Sequence, residues 1–116
     1  MIEVQLNLYI FTYSKIDRDF DILSIDKDKL EVPSIEIYDS SISIKKHLDS
    51  LFEKVNIEYK PVYRLLNNIL LDSVYHSIYF CVLPDSEKID DDFYKLPVKN
   101  YAIYSPNIQQ IMQNIR

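Results

Sequence analysis

The sequence predicts a single α+β domain, with strands, a helix, more strands and a last helix in that order. Three observations predict it. Apolar residues alternate near the N-terminus, as in extended chain; the period becomes helical once in the middle and once at the C-terminus. The third is size and balance: 116 residues, 47% hydrophobic and 27% charged, are values of one globular unit.

Each element follows from local chemistry. Ile2, Val4, Leu6, Leu8 and Ile10 fall on one face of the first segment and Glu3, Gln5, Asn7 and Tyr9 on the other, the pattern of a half-buried strand. After the polar turn SKIDRD, Phe20, Ile22, Leu23 and Ile25 supply a hairpin partner, which the KDK run then ends. LEVPSIEIYD is extended, with Ile35 and Ile37 opposed to Glu36 and Tyr38; Pro33 has no N–H to donate and sets an edge or a kink.

From Ile42 the period changes. Ile44, Leu48, Leu51, Phe52 and Val55 make one apolar stripe, which predicts a central amphipathic helix over about 42–55. Ser41 or Ser43 caps its start, Asn56 stands in for the glycine that often follows a helix, and Lys45 and Asp49 pair one turn apart on its outer face. YKPVYRLLN, NILLDS and VYHSIYFCVLP read as sheet, being rich in β-branched, aromatic and leucine side chains. An acidic loop, SEKIDDD, precedes a short strand and irregular chain in FYKLPVKNYAIY. SPNIQQIMQNIR predicts a C-terminal helix over about 106–115, capped by Ser105, with Pro106 in its first turn and Ile108, Ile111, Met112 and Ile115 inward. With no repeat or linker, residues 1–116 are expected to form one domain.

Composition narrows the function. A net charge of -5 argues against a nucleic-acid partner, which calls for a basic face to displace counterions. No apolar run is long enough to span a bilayer and no secretory leader is evident, so the expected location is cytoplasmic, or the virion if a phage encodes the chain. The Ile, Tyr, Lys, Asp and Asn content suits an AT-rich genome such as that of a phage or a parasite. Cys81, the single cysteine, lies in an apolar run and is expected to be a buried, inert thiol. There are no glycines, where ordinary usage of roughly 7% would give about eight. Walker and dinucleotide-binding turns are therefore excluded, and turns that need positive φ fall to Asn or Asp, with Asn67–Asn68 and Asn56 as candidates. No cofactor is implied.

The remaining polar groups have ordinary readings. His47 and His76 have no ligand partners at metal spacing, and Ser73 and Ser77 beside His76 lack the turn a serine nucleophile needs. Asp90, Asp91 and Asp92 read as a solvated loop. Ten tyrosines are too many for one small core. Tyr9, Tyr59, Tyr63, Tyr94, Tyr101 and Tyr104 are the candidates for an interaction surface, since tyrosine gives large contact area at low entropic cost.

The element order resembles the Nudix hydrolase fold, an α/β/α sandwich in which a mixed sheet lies between a motif-bearing helix and a C-terminal helix. With Pro33 on the proline that precedes the family's two glycines, the rest of the Nudix box aligns without a gap: Leu51 and Ile57 take aliphatic positions and Asn56 the helix-ending glycine. The box chemistry is largely replaced. Ser34 and Ile35 stand at the glycines, Ser41 at the loop glutamate, Asp49 at the arginine and Ser50 at the first helix glutamate; of the last pair Glu53 remains and Lys54 replaces its neighbour. Family members hold a divalent metal on these carboxylates against a pyrophosphate, because hard cations need clustered oxygen anions. With Asp49 the one further carboxylate nearby, the resemblance implies no competent metal site and no enzyme.

The first expectation is therefore a non-catalytic interaction or structural module, with a protein partner or a larger assembly such as a phage particle. The alternative is a sensor that keeps the nucleotide cleft and binds an ADP-ribose-type compound through Tyr38, Lys45, Glu53 and Lys54, with lysine in place of metal. A divergent hydrolase of nucleoside-diphosphate-linked substrates is the third.

Overall fold

The chain is built around one long strand, β1 (Glu3–Ser14). The computed structural model describes residues 3–38, 41–56, 58–84 and 92–115. Along one side of β1 runs β5 (Val74–Leu83), parallel to it from Glu3↔Val74 to Thr12↔Leu83. The other side is shared: β3 (Ser34–Ile37) pairs antiparallel with Val4–Asn7, and β2 (Asp19–Ser24) with Phe11–Ser14. β4 (Arg64–Leu71) extends the sheet beyond β5, and β6 (Tyr94–Pro97) extends it beyond β2, giving the order β4-β5-β1-β2-β6 with β3 off this path. Both parallel and antiparallel pairs are present, so the sheet is mixed.

One helix covers each face. α1 (Ile44–Glu53) sets Leu48, Leu51 and Phe52 on Leu6, Leu8, Ile10, Leu23, Cys81 and Leu83. α2 (Pro106–Ile115) sets Ile108, Ile111 and Met112 on Phe11, Ile22 and Phe80. This is the α+β, helix–sheet–helix arrangement the sequence predicts. Cys81 is buried as expected, and desolvation pushes its thiol up to about 12, so it stays protonated. No helix among the described residues is long and apolar enough to cross a membrane.

The two helices match their expected ranges closely. Ser43 is the cap of α1, its Oγ accepting from the Lys46 amide at 3.3 Å, and Ser105 plays the same part for α2 through the Ile108 amide at 3.3 Å. Asn56 has φ 56°, the left-handed geometry expected of a residue standing in for glycine after a helix.

Three expectations change. β1 is covered on its second face around Tyr9 and Phe11, which pack toward α2, because a second helix covers part of the side that alternation alone would leave to water. Asn67–Asn68 is no turn, since both lie inside β4, which joins the segments that read as two; a bulge falls between Leu65 and Asn67. The β4–β5 turn is instead Asp72–Ser73, with φ 49° and 67°. Two adjacent positive-φ residues match the right-handed twist of a hairpin, and in a chain without glycine Asp and Ser carry that strain.

A buried hydroxyl organises the loop after β2. Ser24 is fully buried, its Oγ lies 2.6 Å from the Asp26 carbonyl and 2.9 Å from that of Lys29, and it accepts from the Asp26 amide at 3.2 Å and the Glu31 amide at 3.0 Å. Asp26 adds a carboxylate that accepts from the Asp28 amide at 2.7 Å, which holds its pKa below the ordinary value. Ser24→Ala strands several of these groups and is expected to cost about 1–3 kcal/mol in urea unfolding. A loss under about 0.5 kcal/mol would mean the loop closes without Ser24.

Candidate ligand cleft beside the central helix

α1 places Lys45, Asp49 and Glu53 at successive helical turns, so the three side chains rise along one ridge of the helix. Opposite that ridge runs the irregular segment 58–63, which Pro61 keeps out of any ladder. Between them lies a cleft of about 450 Å³, lined by Lys45, Asp49, Phe52 and Glu53 from the helix and by Tyr59, Lys60 and Pro61 from the segment. Two lysines, two carboxylates and two aromatic rings thus meet at one opening.

Asp49 holds the centre. One carboxylate oxygen accepts from the Tyr63 hydroxyl at 2.6 Å and the other from Lys45 Nζ at 2.9 Å, the ion pair expected from spacing. The Tyr63 bond, then the Lys45 bond, keeps the Asp49 carboxyl below its ordinary range and therefore ionised. Tyr63 shifts the opposite way, upward, from burial first and then from the Asp49 carboxylate, so it remains a hydrogen-bond donor. The Lys45 side chain is largely exposed, so this pair orients side chains more than it stabilises the chain.

The other expected site residues are dispersed. Lys54 caps the end of α1 and is exposed, and Tyr38 lies at the end of β3, exposed and bonded to Glu36; neither lines the cleft. Among the six tyrosines, Tyr63 packs in the α1 core, Tyr9 and Tyr101 pack in the α2 core, and Tyr59 lines the cleft. Tyr94 and Tyr104 are exposed. Tyr59, Lys60 and Tyr63 enter the site through the fold of segment 58–63, whose sequence has no periodicity that would aim them at α1.

Further candidates have structural surroundings. His47 buries Nε2 on the inner side of α1 with no hydrogen-bond partner among the described residues, and His76 pairs across the ladder with Ile69 and Gln5. Ser77 donates to Asn68 Oδ1 at 2.6 Å. In the acidic run, Asp90 and Asp91 lie outside the described residues.

A divalent metal of the kind the fold's enzymes use does not fit the donors present. Among the described residues no three His, Cys, Asp or Glu side chains come together as ligands, and Asp49 already gives both oxygens to Tyr63 and Lys45. Glu53 alone offers an uncommitted carboxylate to the cleft, too few hard oxygens for magnesium. No step is derived through a metal.

No protein-family model matches the sequence, and no curated protein matches it significantly. Solved structures do match. A mutT/nudix family protein from Listeria innocua superposes with a TM-score of 0.71 at 10% identity, over 97% of this chain and 92% of that one. The NUDIX domain of Shewanella oneidensis NrtR, solved with ADP ribose, gives 0.68 at 12% identity over 97% and 88%. The C. elegans Ap4A hydrolase gives 0.60 at 10% identity over the whole of both chains. At such identities the likeness establishes a Nudix-like fold. It also corrects the expectation that the chain is no enzyme: the matching scaffolds include hydrolases, and replaced box residues are not grounds for setting it apart from them.

Proposed function

We propose that the chain is a nucleotide-handling domain of Nudix-like fold that takes a nucleoside-diphosphate-linked compound, of which ADP-ribose is the model, into the cleft beside α1. The carrying observation is the meeting of Lys45 and Lys60 with Asp49, Glu53 and Tyr59 around one cavity of about 450 Å³. Lysine ammonium groups meet the charge of a diphosphate, and the ring of Tyr59 offers a face for a base or sugar. Because the Asp49 charge is balanced by Lys45, Lys60 is the cation left in the cleft to attract an anion. The ADP-ribose complex of the Shewanella NUDIX domain supports this ligand class.

Calorimetric titration with ADP-ribose, followed by chromatography of the mixture with and without magnesium, tests the reading. Saturable heat is expected, and nucleoside monophosphate among the products marks hydrolysis. Absence of saturable heat at about 1 mM ligand would remove the proposal.

A second reading rests on exposed aromatic area. Tyr38 and Tyr104 are 83% and 81% exposed, as side chains that dock on a partner would be. In that reading the chain is a component of a larger assembly, a phage particle among the candidates, and it should co-purify with that assembly from its source.

A further inference from the structure

We propose that β4 is the seam of a two-fold homodimer in which the sheets of two copies join edge to edge. The two ends of the sheet differ. β6 is four residues long, carries Lys95 and ends at Pro97, features that discourage further pairing. β4 is twice as long, with the sequence RLLNNILL and neither lysine nor proline; Leu65, Leu70 and Leu71 are 51%, 53% and 55% exposed. Its outer edge has no strand beside it among the described residues. An open apolar edge of this length is a template for another strand.

The occupant is a second copy because β4 is complementary to itself. Arg64 begins the strand and Asp72 follows its end, so antiparallel pairing about a two-fold axis near Asn68 sets the Arg64 end of each copy beside the Asp72 end of the other. Faces agree in the same register. Leu65 stands across from Tyr79 and Leu70 from Tyr75, which puts both leucines on the α1 side; with the bulged Leu66 passed over, Leu65 meets the second copy's Leu70. On the α2 side Asn67 meets Ile69 and Arg64 meets Leu71.

The seam has an apolar margin. Just before β4 begins, a groove of about 390 Å³ lies between α1 and residues 61–63, lined by Ile44, Lys45, Leu48, Val62, Tyr63 and, from β5, Tyr79. The second copy's hairpin end arrives beside Val62, with Leu70 on this face and the acidic Asp72 at its tip, next to the Arg64 end of the strand. Opposite charges at both ends fix the register while the leucines supply burial.

Sedimentation velocity from about 1 to about 100 µM tests the seam. A dimer is expected in which Leu70→Lys raises the dissociation constant at least tenfold, and Arg64→Asp or Asp72→Arg raises it about tenfold. The double variant Arg64→Asp with Asp72→Arg should recover most of the affinity, although it loses the Arg64 contact 5.3 Å from the Phe80 ring. Circular dichroism melts establish that each variant is folded, which half-exposed positions tolerate. A monomer at every concentration, a dimer indifferent to Leu70→Lys, or charge variants that do not rescue one another would each overturn the proposal.

Discussion

Replacing Leu51 by alanine is expected to lower the free energy of unfolding by about 2–5 kcal/mol, enough to remove much of the stability of a domain this size. Leu51 is 1% exposed and packs with Leu48, Phe52 and Val55 against the β1 and β5 residues of the same core. Its side chain is a principal means by which α1 is fixed to the sheet, and the cavity left by truncation cannot close against a rigid strand face. Glu53→Gln, two residues on, is the control: Glu53 is exposed, lines the cleft and should leave unfolding within about 0.5 kcal/mol of the parent. Urea unfolding of the pair separates scaffold from site. If Leu51→Ala costs less than about 1 kcal/mol, α1 is not seated as described.

Reversing one charge in the cleft is expected to remove the ligand. Lys60→Glu deletes an attraction to the diphosphate and adds a repulsion, and at about tenfold for each the affinity for ADP-ribose should fall about a hundredfold. Lys60 stands on the exposed segment opposite α1 and touches neither core, so melting temperature should scarcely change. The parent's affinity should weaken with salt, because the charges face water. Unchanged affinity in Lys60→Glu would move any bound nucleotide out of this cleft; titration of parent and variant side by side settles it.

The stripes of α1 and α2, their serine caps, the left-handed Asn56 and the Lys45–Asp49 pair were all legible, because each depends on residues within one or two helical turns. The α/β/α order was legible for a related reason: a change of hydrophobic period is local even when the packing it implies is not. Asn67–Asn68 is not a turn although asparagine tolerates positive φ, because the Ser77 hydroxyl satisfies Asn68 inside a ladder and Asp72–Ser73 bear the strain.

The sequence by itself determined two amphipathic helices, alternating strands and the exclusion of glycine-built phosphate loops, since backbone geometry and the absence of glycine act residue by residue. Only the tertiary structure decided that Tyr9 and Phe11 face a second core, that Tyr63 reaches Asp49, and that Tyr59 and Lys60 close a cleft with Glu53. Those outcomes depend on chain segments brought together by burial of the sheet's two faces. That burial is a sum over the whole core, with no period of its own along the chain.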